Sequence, residues 1–87
     1  MVLPKEVFML GNVIKKHIML QPTQVQDFVK EATKCDFDVD IYYNRYVVDA
    51  KSILGVFGLD LTKTLTVEYQ GHNKQFEQYL NGLAIAG

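Results

Sequence analysis

The chain has a single cysteine, no tryptophan and only two prolines among its 87 residues. A lone thiol cannot close an internal disulfide and has no second thiol for a metal motif, so Cys35 points to a reducing compartment and a fold held by its core alone. An excess of either charge is also missing, because nine basic and ten acidic residues leave a net charge of −1. Nucleic acid and anionic membranes demand clustered cations, and Lys15 with Lys16 is the only adjacent basic pair. Neither partner is expected. No apolar run approaches membrane-spanning length, and Met1-Val2-Leu3-Pro4-Lys5-Glu6 lacks the basic stretch and long apolar core of a targeting peptide. A cytoplasmic protein is expected. Asp36, Asp38 and Asp40 alternate along one stretch, but no His or Glu completes a ligand set at suitable spacing, so neither metal nor cofactor is expected.

Hydrophobic residues make up 48% and charged residues 22%, the balance of one globular domain rather than a disordered chain. Residues 13–20 mix apolar and polar types in alternation, which predicts a strand showing Val13, Lys15, His17 and Met19 to water. Pro22 suits the first turn of a helix, and Thr23 with Gln26 can form a capping box. Val25, Phe28, Val29 and Ala32 then recur on one helical face. Phe37, Val39, Ile41 and Tyr43 alternate with Asp38, Asp40 and Tyr42, the pattern of a half-buried antiparallel strand. Asn44-Arg45 can turn the chain into a partner strand at 46–48, with Arg where a tight hairpin prefers glycine.

The stretch Asp49-Ala50-Lys51-Ser52-Ile53-Leu54-Gly55-Val56-Phe57-Gly58 reads as a short helix capped at its start by Asp49 and closed by Gly58. Residues 64–69 form a fourth strand with Leu65, Val67 and Tyr69 on one face. Asn73 caps a last helix carrying Phe76, Tyr79, Leu80 and Leu83. The order β-α-β-β-α-β-α predicts an α+β fold, with three helices covering one face of a four-stranded antiparallel sheet. The other face would be wet, which accommodates Lys15, His17, Asp38 and Asp40 without a buried charge.

Over roughly residues 13–84 the chain resembles HPr, the histidine-containing phosphocarrier family of the bacterial sugar phosphotransferase system. The sharpest match is 49–55, similar to the family's Asn-Leu-Lys-Ser-Ile-Met-Gly signature. Ala32-Thr33-Lys34, Asn44 and the apolar Ile53, Leu54 and Phe57 add to it. The resemblance implies an HPr-like open-faced β-sandwich over 13–87, preceded by an extension at 1–12 whose Val7, Phe8, Met9 and Leu10 need burial. It also exposes a departure. A phosphocarrier needs an imidazole at the mouth of the first helix, which the family writes His-Ala-Arg-Pro, whereas the matching stretch here is Gln21-Pro22-Thr23-Gln24. An amide cannot carry phosphate reversibly. Gln at this place is similar to the Crh branch, written Leu-Gln-Ala-Arg-Pro, of which Leu20-Gln21-Pro22 keeps only the first part.

The resemblance thus implies a divergent HPr-like or Crh-like member without the active-site histidine, acting as a binding or regulatory module and not as an enzyme. Ser52 is the candidate regulatory phosphorylation site, and Ile53, Leu54 and Phe57 are the candidate partner-binding residues. Partners would be phosphotransferase-system proteins, an HPr kinase or a transcription regulator. The alternative is a phosphocarrier working through a displaced histidine, His17; His72 reads as a loop residue.

Overall fold

The computed structural model describes residues 13–85, so the expected extension at 1–12 lies outside the described residues. Four strands form one sheet: β1 (Ile14–Ile18), β2 (Val39–Tyr43), β3 (Tyr46–Asp49) and β4 (Leu65–Tyr69). They lie in the order β1-β4-β2-β3, every neighbour antiparallel. The described residues also form three α-helices, α1 (Val25–Thr33), α2 (Ile53–Phe57) and α3 (Lys74–Leu83). The expected open-faced α+β architecture is the one observed.

The period-two patterns place the core. Ile18, Val39, Ile41, Leu65 and Val67 are fully buried under the helices, where they meet Val25 and Phe28 of α1, Val56 of α2, and Phe76 and Leu80 of α3. Each such side chain contributes about 1.5–3 kcal/mol on burial, so a small chain with a single cysteine, and hence no internal disulfide, depends on nearly all of them. An aromatic series runs through this layer: Phe37 stacks on Tyr69 at 5.5 Å, and Tyr69 meets Phe76 edge-on at the same centroid distance. The Tyr69 hydroxyl is buried and has no hydrogen-bond partner among the described residues, and burial pushes its pKa up to about 12. Gly71 makes the Phe37 position possible, since a Cβ there would lie 2.4 Å from the Phe37 ring.

Turn chemistry departs from expectation in three places. A one-turn 3-10 segment, Pro22–Gln24, precedes α1, and its brace runs between Gln21 and Gln24 rather than Thr23 and Gln26. The Gln21 N–H donates to Gln24 Oε1 at 2.8 Å. At the β2–β3 hairpin Asn44 takes φ 56°, so the left-handed residue is the first of the two-residue turn and Arg45 needs no glycine. The start of α2 is also corrected. Asp49 stays in β3, paired with Asp40, and its carboxylate accepts from the Lys51 N–H at 2.9 Å, so Ser52 becomes the N-cap instead.

The last helix is tied to the sheet edge. Met19 N–H donates to the Leu83 carbonyl at 3.3 Å and Ile85 N–H to the His17 carbonyl at 3.2 Å, covering part of the free edge of β1. That edge would otherwise present unpaired backbone groups to other chains.

Candidate functional site

Two turns at neighbouring helix starts carry the residues singled out by the sequence. At the first, Leu20 is buried and fixes the chain, while Gln21, Pro22 and Thr23 are exposed at the mouth of α1. Proline costs nothing there because the first helical N–H groups lack intrahelical acceptors. The side chain at the mouth is therefore the amide of Gln21. Neither histidine stands beside it in sequence or on its element. His17 lies on the open face of β1, Nδ1 3.2 Å from Thr66 Oγ1, and His72 sits in the loop before α3, Nδ1 3.3 Å from Glu77 Oε2.

The second turn leads from β3 into α2. Ser52 holds an extended backbone, φ −104° and ψ 109°, and its Oγ accepts from the Gly55 N–H at 3.1 Å. Its side chain is exposed. Gly55 permits a close approach: a Cβ at this position would lie 3.2 Å from Ser52 Oγ and 3.3 Å from Val48 Cβ. The helix is therefore pressed onto β3 by one face, with Val56 buried. Its other face carries Ile53 (38% exposed), Leu54 (81%) and Phe57 (48%). An apolar trio left in water on five residues is surface that a partner can cover.

Lys51 holds the two helices together in a way the sequence did not suggest. Its ammonium donates to the Cys35 carbonyl at 3.0 Å, satisfying a group just past the end of α1 from the turn before α2. Cys35 itself is buried, and burial pushes its thiol pKa up while the nearby Lys51 pulls it down. A protonated, enclosed thiol is a poor nucleophile.

The open sheet face is acidic. Lys15, Glu68, Asp40 and Asp49 stand in one cross-strand row, so Asp40 has a carboxylate on each side. Among the described residues only Lys15 balances the row, 3.9 Å from Glu68 Oε1, and Tyr42 donates its phenol to the same Glu68 oxygen at 3.1 Å. Burial first, then Glu68, Asp38 and Asp49, raise the Asp40 pKa. Alternation showed that these side chains face water, but not which of them would be neighbours. Among the described residues, no group of three His, Cys, Asp or Glu side chains is arranged to hold a metal ion. No helix among them is long and apolar enough to cross a membrane.

A sheet covered on one side by three helices, with a short helix left apolar on its outer face beside a capped turn, defines an open-faced α+β sandwich. The family model described as the PTS HPr component phosphorylation site, where PTS is the phosphotransferase system, matches residues 14–85, and the chain belongs to this family. HPr proteins are phosphocarriers rather than classical enzymes, and their domains interact with other proteins of the phosphotransferase system. No curated protein gives a significant match to the sequence.

Proposed function

We propose that this chain is a non-catalytic binding and regulatory module of the bacterial sugar phosphotransferase and carbon-regulation system, working in the cytoplasm. One observation carries the reading: Ile53, Leu54 and Phe57 are exposed together on a helix whose N-cap is the accessible hydroxyl of Ser52. Apolar contact supplies about 25 cal/mol per Å² buried, and a phosphoryl group in the rim of that contact switches it by charge. The partner is a phosphotransferase-system protein, an HPr kinase or a transcription regulator. Gln21 at the mouth of α1 supports the non-catalytic part, because it offers no ring nitrogen to accept a phosphoryl group.

Phosphorylation would place a dianion where the Gly55 N–H already points, a favourable contact opposed by the Asp49 carboxylate. Treatment with an HPr kinase and ATP, comparing the native chain with Ser52→Ala, tests this. Incorporation lost in the variant is expected, and no incorporation into the native chain removes the regulatory proposal.

A phosphocarrier role through His17 is the second reading, favoured by an exposed ring on the open sheet face, with Nδ1 3.2 Å from Thr66 Oγ1. Incubation with phosphotransferase enzyme I and phosphoenolpyruvate decides between them. An acid-labile phosphate on His17 would overturn the non-catalytic reading.

A further inference from the structure

Where α2 ends, a pocket of about 240 Å³ opens between the hairpin and the following loop, lined by Tyr43, Tyr46, Gly58, Leu59 and Asp60. The two tyrosines are directly opposed across the β2–β3 turn, so their rings leave the same face of the hairpin. Tyr43 packs against the core, while Tyr46 is 65% exposed and forms an outer wall. Asp60 supplies the charge. Its Oδ1 accepts from the Thr62 hydroxyl at 2.6 Å and the Thr62 N–H at 3.1 Å, and these bonds hold its carboxyl below the usual range and therefore ionised. Both bonds fall on one oxygen, and among the described residues no ion pair engages the carboxylate, on which Lys63 acts through its charge alone.

Two aromatic faces and a fixed carboxylate suit a delocalised cation that can stack and hydrogen-bond together, which is the chemistry of a guanidinium. The volume is below the range of about 300–1,000 Å³ typical of sites for free small molecules and fits one long side chain. Gly58 lies one helical turn beyond Leu54, so the pocket continues the exposed apolar face of α2. We propose that this pocket receives an arginine side chain of the protein that docks on α2, so that the partner presents an apolar residue and an arginine about one helical turn apart. The partner's position rests on the docking reading above, whereas the pocket's chemistry does not.

N-acetylarginine amide and its neutral citrulline analogue, titrated separately into the ¹⁵N-labelled chain, test the pocket. The arginine compound is expected to shift the amide resonances of Tyr43, Tyr46, Gly58, Leu59 and Asp60, and the citrulline compound to leave them in place. Asp60→Asn and Tyr46→Ala should each weaken the arginine compound about two- to fivefold, with unchanged melting curves as the folding control. Equal shifts with citrulline, or shifts centred on Asp40 and Glu68, would refute the assignment. A helical peptide with Leu and Arg four residues apart tests the shared surface: it should bind about tenfold tighter than the arginine compound, with the gain erased by Leu54→Ala. Pocket shifts without that gain would overturn the docking arrangement, whereas absence of pocket shifts overturns the pocket alone.

Discussion

Replacing Asp40 by Asn should stabilise this protein at neutral pH, although it deletes a charge from a solvent-facing position. Asp40 is directly opposite Glu68 on β4 and Asp49 on β3, and the one cation in that row reaches only Glu68. Opposed like charges on a sheet cost roughly 0.2–1 kcal/mol per pair, and exposure favours the lower half of that range, so two pairs give about 1 kcal/mol at low salt. For a domain of this size that is an increase of about 4–8 °C in Tm. The pH dependence has a definite sign. Because the folded state raises the Asp40 pKa above its unfolded value of 3.8, the native chain holds this proton more tightly than the unfolded chain does. The wild type therefore keeps the associated stability below 3.8 and loses it as pH rises through the higher folded value. Thermal melts of wild type and Asp40→Asn should diverge at neutral pH, converge in acid, and draw together when salt screens the row. A variant no more stable than wild type at neutral pH and low salt, or a gain that persists in acid, would show that the opposed carboxylates do not repel as argued.

Ser52→Ala removes the N-cap acceptor of the Gly55 N–H and should lower stability by about 0.5–2 kcal/mol in urea denaturation, besides abolishing any phosphate incorporation there. Gly71→Ala drives a Cβ into the Phe37 ring, displacing it from its stack on Tyr69; a loss of about 1–3 kcal/mol is expected by the same method. Leu54→Ala should change stability by no more than about 0.5 kcal/mol, because the side chain is mostly in water, while weakening partner binding in calorimetry.

The core and the element order were legible because they follow from local period. Val39, Ile41, Leu65, Val67 and Tyr69 alternate with polar residues, and Phe76 and Leu80 repeat at helical spacing, so the buried side of each element could be read without knowing its neighbours. The start of α2 was misread because Asp49 and Ser52 are both competent caps. What decides between them is the pairing of Asp49 with Asp40, which keeps its backbone extended and belongs to the sheet rather than to the local sequence. The acidic row and the Tyr43, Tyr46 and Asp60 pocket were hidden for the same reason, since each assembles side chains from strands or loops whose register the sequence does not state. Tyr43 and Tyr46 alone could have been paired, being the residues on either side of a two-residue turn.

The turn at the mouth of α1 is less constrained by the fold than the turn into α2. Gln21, Pro22 and Thr23 are exposed; the buried Leu20 and Val25 on either side and the bond from the Gln21 N–H to Gln24 Oε1 fix their path, and because that bond uses the Gln21 backbone, a different side chain at this position should leave the core undisturbed. The turn into α2 is held more tightly: Gly55 is pressed against Val48 and Ser52, Val56 is buried, and Lys51 reaches across to the Cys35 carbonyl at 3.0 Å. These restraints orient Ile53, Leu54 and Phe57 outward without using them. The exposed side chains of the two turns are therefore held by separate contacts, and a substitution at one can leave the packing that presents the other intact. A Gln21→His exchange offers the direct test: it should leave the melting temperature within the effect of a surface substitution, about 0.5 kcal/mol. A larger loss would mean that the mouth of α1 and the core are coupled after all.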